Sequence, residues 1–137
     1  MDGYGFTVLL FLMAESMIAF LTNDLIFQSR VASIASSSHN RIVADRTVER
    51  LLMKLDKEVD VGVIIVDLGL DHGDLSDLLS TFKAKYPQAK SIAYGPHVHE
   101  ARLKRAVDAG FDQVMTRGQF DRQMNAIIAG DNPSDSE

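Results

Sequence analysis

The sequence predicts an α/β domain: a doubly wound, five-stranded parallel sheet with helices on both faces. Three observations lead there. Apolar runs of strand length alternate with segments of helical periodicity along the whole chain. The run Val61 to Val66, "VGVIIV", is apolar and mostly β-branched with no polar alternation, which is how a strand covered on both faces reads. The length of 137 residues, 46% hydrophobic and 24% charged, has the balance of one globular domain with a real core.

Each element follows from local pattern. "MIAFLTND" reads as a buried first strand ending at Asn23 and Asp24, and Phe27, Val31 and Ile34 then recur at helical spacing. The Ser36-Ser37-Ser38 cluster breaks that helix before a short second strand, "NRIVA". Thr47 to Leu55 is helical, with Val48, Leu51, Leu52 and Leu55 on one face. The third strand, Val61 to Val66, runs into the loop "DLGLDHG". A helix begins at Asp74, a natural N-cap, with Asp77 suited to its first turn. Leu75, Leu78, Leu79 and Phe82 form its stripe and Pro87 forbids continuation. "SIAY" is the fourth strand, and "HEARLKRAVDAG" a helix closed by Gly110, where a left-handed cap is required. "DQVMT" is the fifth strand, and Phe120, Met124, Ile127 and Ile128 mark a last helix.

Composition narrows the function classes. A net charge of −5 and a pI near 5.3 argue against a surface built to neutralise nucleic-acid phosphates. The absence of cysteine excludes disulfides, thiolate catalysis, cysteine-based zinc sites and Fe–S clusters, and it fits a cytoplasmic protein. Residues 1–16 read as an apolar extension, 17–129 as the domain, and 130–137 as a disordered acidic tail. Glu15 and Ser16 split the N-terminal apolar run, and Asp2 stands where a signal peptide carries basic residues, so neither a membrane span nor a signal is expected. Met17 is an alternative start.

Right-handed connections and the flavodoxin-like strand order 2-1-3-4-5 make strands one and three neighbours, with a crevice beyond their C-terminal ends. Asp24 then lies beside Asp67, with Asn23 adjacent. Such an oxygen-rich cleft suits a hard cation such as Mg²⁺.

At this point the residues resemble the receiver domains of bacterial two-component response regulators. The resemblance covers Met17 to Ile128 and rests on "TNDLIFQSR", "VIIVDLGL" and "AVDAGFDQVMTRGQF" in their order and spacing. In that family an acidic pair binds Mg²⁺ and the aspartate after strand three takes phosphate from a histidine kinase. A Ser or Thr after strand four and a lysine after strand five hold the phosphoryl group. The resemblance implies that Asp67 is the phosphoacceptor, that Asn23 and Asp24 fall on the acidic pair as a weak Mg²⁺ site with Asp67, and that Arg117 takes the lysine position. Tyr94 or Gly95 falls on the Ser/Thr position, Gly118 on the proline, and Val114 on the aromatic switch residue.

Each departure has a physical meaning. Asn23 removes a charge from the metal site, and the planar guanidinium of Arg117 is not interchangeable with a compact ammonium. Without the small hydroxyl and the aromatic partner, phosphate on Asp67 has no two-state element to bias. The expectation is a stand-alone receiver-like module with a degenerate site, acting through protein–protein contact at the helix-4/strand-5/helix-5 face, with a homodimer compatible. The alternatives are a working receiver phosphorylated on Asp67 with Mg²⁺, and a membrane-peripheral or self-associating protein acting through its apolar N-terminus.

Other constellations carry less. His72, His97 and His99 fall at the same sheet edge as Asp71 and Asp74, a conceivable transition-metal set without defined geometry, and His39 reads as surface. No nucleophile elbow or phosphate-cradling glycine loop is present, so no conventional enzyme is expected. Arg102, Lys104 and Arg105 read as a solvated helix face or a docking surface for an acidic partner.

Overall fold

Apolar runs form the sheet and periodic segments form the helices, in strict alternation. The structure, a computed structural model, describes residues 16–55 and 60–130. The expected N-terminal extension therefore lies outside the described residues apart from Ser16, as does the expected tail apart from Gly130. The elements are β1 (Ser16–Leu21), α1 (Leu25–Ser37), β2 (Asn40–Asp45), α2 (Val48–Lys54), β3 (Val61–Asp67), α3 (Leu75–Lys85), β4 (Lys90–Gly95), α4 (Glu100–Ala109), β5 (Gln113–Thr116) and α5 (Arg117–Ala129). All neighbouring strands pair in parallel, in the order β2-β1-β3-β4-β5. This is the expected doubly wound topology.

Sequence pattern decides which face each helix covers. Alternate residues of β1, β3 and β4 point to opposite sides. Ala19, Leu21, Ile64, Val66 and Ala93 meet Leu51, Leu75, Leu78, Phe82 and Ala106 of α2, α3 and α4 in one core. Ile18, Phe20, Ile65, Ile92 and Tyr94 meet Phe27, Val31, Phe120 and Met124 of α1 and α5 in the other. The second core is aromatic at its upper end, where the Tyr94 and Phe120 rings stack at 4.3 Å and Phe20 and Phe27 pack around them. Offset and tilted aromatic pairs of this kind add about 0.5–1.5 kcal/mol each beyond their area burial.

Local chemistry sets the boundaries. Asp24, Thr47 and Asp74 each accept a hydrogen bond from backbone N–H groups of the helix they open. Gly110 closes α4 at φ 101°, as its position requires. Two limits differ from the sequence reading. β1 ends at Leu21, so Asn23 and Asp24 lie in the loop and not in the strand. α5 begins directly after β5, because Thr116 forms a capping box with Gln119 and starts the helix at Arg117. Among the described residues no helix is long and apolar enough to cross a membrane.

Candidate functional site

The C-terminal ends of β1 and β3 converge on Asp67. The register pairs Leu21 with Val66, which puts the residue just after β1, Thr22, level with Asp67. Thr22 Oγ1 donates to Asp67 Oδ2 at 2.6 Å, and Gly69 N–H donates to Asp67 Oδ1 at 2.8 Å. The carboxylate is thus held by a neutral donor on each oxygen, in a residue only 5% exposed. Charge-assisted bonds of this type are about twice as strong as neutral ones.

Asp24 is directed elsewhere. Its Oδ1 accepts from Phe27 N at 3.0 Å and caps α1, while its Oδ2 accepts from Arg117 Nη2 at 2.5 Å. The Arg117 guanidinium also lies over the Phe27 ring, 4.1 Å from its centroid. Burial alone would raise the Asp24 pKa, but the Phe27 amide and the Arg117 guanidinium outweigh it and hold the carboxyl below its usual value. The bond to Asp24 correspondingly raises the pKa of Arg117. Thr22 links the two acids, since its Oγ1 also accepts from the Asp24 backbone N–H at 3.0 Å. Asn23 is exposed in the loop between them.

The remaining expected positions close the site from below. Tyr94 pairs with Asp67 in the β3–β4 register and is fully buried; its ring belongs to the aromatic core and its hydroxyl lies beside Thr22, off hydrogen-bonding geometry. Burial first, and the field of Asp67 second, push its pKa far above the usual phenol range. Gly95 lies against Leu68: a Cβ there would come within 2.9 Å of Leu68 Cβ, so this position excludes any side chain without movement of the loop after Asp67. Val114 packs against the opposite core, toward α4.

The sequence reading did not single out Thr22, nor the role of Arg102. The pairing register was the signal for Thr22, because it alone tells which residue after β1 is level with Asp67. Arg102 turns inward from α4, and its Nη1 donates to the Leu68 carbonyl at 2.9 Å and to the Gly69 carbonyl at 3.3 Å. His72 folds back so that its Nε2 donates to the Asp67 carbonyl at 2.8 Å. Burial lowers the His72 pKa, against the bond to the Asp67 carbonyl and the nearby carboxylates, which raise it. His97 lies in the turn after β4, and His99 occupies the N-cap of α4 without a side-chain bond.

Few carboxylate oxygens at this edge are left open to a divalent cation. Mg²⁺ is held by one or two carboxylates with waters completing its shell. Here both Asp67 oxygens are engaged, and one Asp24 oxygen carries a guanidinium already. Among the described residues no group of three or more acidic or histidine side chains could hold a metal ion, and this extends to the histidine set at the sheet edge.

No family model and no curated protein matches the sequence. The fold does match solved structures. A response regulator from Thermotoga maritima superposes with a TM-score of 0.61 over 82% of this chain and 98% of its own, at 11% identity. A response regulator protein from Burkholderia pseudomallei, solved with a phosphorylated aspartic acid, calcium ion and citrate, gives 0.65 over 88% of this chain and 69% of its own, at 16% identity. An orphan response regulator of H. pylori gives 0.61 over 84% and 92%, at 12% identity. The register, the two-faced core and these superpositions agree: the chain has the receiver fold of response regulators.

Proposed function

We propose that this chain is a receiver-like signalling module whose phosphoacceptor site is degenerate and which works by protein–protein contact. The observation that carries the reading is the Arg117–Asp24 ion pair. In the place where the resemblance puts a metal-binding acid, a guanidinium of the same chain sits on the carboxylate and over Phe27. Mg²⁺ approaching there meets a positive charge instead of an open acid. Tyr94 and Gly95 support the same reading. Neither supplies the small hydroxyl: Tyr94 is held in the buried aromatic core by its stack on Phe120, and a Cβ at Gly95 would clash with Leu68.

A signal then leaves through the surface of α4, β5 and α5. Val107 of α4 is 59% exposed there, a large apolar side chain beside the Lys104–Asp108 pair. Single exposed apolar residues are common, but one on an otherwise charged helix is a reasonable contact point for a protein partner.

The test is incubation of the full chain with Mg²⁺ and either acetyl phosphate or beryllium fluoride, with Asp67→Asn alongside. The reading expects no stable adduct and no change in the amide spectrum. An Asp67-dependent adduct accompanied by shifts in α4 would establish a working receiver instead.

A further inference from the structure

A cavity of ≈ 150 Å³ opens between the loop after β3 and the flank of α4, on the opposite side of the loop from Thr22 and Tyr94. The half-buried Leu70 gives it an apolar side, backed by the buried Leu68 and Leu75. Its rim carries Arg102, Arg105, Asp71 and His72. The charges on that rim do not cancel. Two guanidiniums face one carboxylate, and Asp71 is itself occupied by the Gly73 N–H at 2.9 Å. Burial lowers the pKa of His72, whose Nε2 lies 2.8 Å from the Asp67 carbonyl. Arg102 spends one amino group on Leu68 and Gly69, whereas Arg105 is exposed and makes no hydrogen bond among the described residues.

We infer that this cavity is a binding site for a small aliphatic monocarboxylate, whose carboxylate meets Arg105 and whose apolar tail lies on Leu70, backed by Leu68 and Leu75. The chemistry discriminates among ligands. A cation is repelled by the arginine excess. Inorganic phosphate shares the attraction to the arginines but has no apolar part to set on the leucines. The volume matches the share of about five liquid waters, the bulk of a molecule with about six heavy atoms. Leu68 directly follows Asp67, and Arg102 holds its carbonyl, so an occupant touches the loop that positions Asp67 without entering the acidic cleft.

The site does not depend on whether Asp67 takes phosphate. Titration of the ¹⁵N-labelled full chain with butanoate, at constant ionic strength, reads it directly. Saturable shifts confined to the amides of Leu68 to Gly73 and of α4 are expected, with binding weakened about fivefold or more by Arg105→Gln, the order expected for loss of one charge-assisted bond at an exposed rim. Butylammonium should leave those amides unmoved, and inorganic phosphate should shift them less than butanoate at equal concentration. Shifts that grow linearly with butanoate, that persist undiminished in Arg105→Gln, or that phosphate reproduces would overturn the inference. Because Arg105 is exposed, its replacement does not threaten the fold, and the amide spectrum of the unliganded variant checks this.

Discussion

Replacing Arg117 by glutamine removes two contacts at once: the ion pair to Asp24 and the guanidinium over Phe27. Arg117 is 45% exposed and Asp24 17%, so the pair is partly screened and its contribution belongs near the upper end of the ~0.2–1 kcal/mol typical of surface pairs. The cation–π contact adds about 0.5–1 kcal/mol at such exposure. The expected loss at neutral pH is therefore about 1–2 kcal/mol, or about 3–7 °C in Tm for a domain of this size. Urea or thermal denaturation reads it. Asp24 has a folded pKa depressed below the ordinary aspartate value of 3.8, so its stabilisation is fully present above the unfolded value and is lost as pH falls through the folded value. The ion-pair share of the gap between wild type and Arg117→Gln should accordingly hold from neutral pH down to about 4 and be lost under more acid conditions, leaving the cation–π share. A gap below about 0.3 kcal/mol at neutral pH, or one that does not narrow on acidification, would show that the guanidinium is not held by Asp24. A rise in Tm with Mg²⁺ in the wild type that Arg117→Gln lacks would refute its role as the cation of the site.

Thr22→Val keeps shape but removes the donor to Asp67 Oδ2 and the acceptor for Asp24 N–H; with a charged, buried acceptor left short, chemical denaturation should show a loss of about 2–3 kcal/mol. Tyr94→Phe deletes a buried hydroxyl without a well-formed partner while keeping the stack on Phe120, so its Tm should equal or exceed that of the wild type by up to about 1 kcal/mol in equivalent stability. Gly95→Ala forces Cβ against Leu68 and should cost about 1–3 kcal/mol in the same assay. The His72 pKa is lowered by folding, so the unfolded chain binds more protons around the ordinary histidine value of 6.5 and below it. Stability should therefore fall as pH drops from 6.5 toward the folded value, and His72→Gln should flatten that part of the profile.

Much of the fold was legible in the sequence because it depends on short-range pattern. Val61 to Val66 announces a strand buried on both faces by composition alone, and the stripe Leu75, Leu78, Leu79 and Phe82 announces a helix lying on it. Caps at Asp74 and Gly110 follow from residue type and position. Asp67 at the end of β3 was readable for the same reason. Its bonding was not. Nothing in the local sequence says that β1 stops at Leu21, and a shift of one residue decides whether Thr22 or Asn23 faces the acid across the sheet. Asp24 illustrates the limit in the other direction, since its capping role is local while its bond to Arg117 spans ninety-three positions.

By itself, then, the sequence determined the α/β alternation, the parallel sheet, the buried central strand and the acid that ends it, because hydrophobic period and turn chemistry act over a few residues. The tertiary structure alone decided what each charged group at that edge does. Strand register places Thr22 on Asp67, helix packing carries Arg117 onto Asp24 and Phe27, and α4 brings Arg102 to the carbonyls after Asp67. Those contacts join segments far apart in the chain, and electrostatic partners are chosen by distance in space, which no period along the sequence encodes.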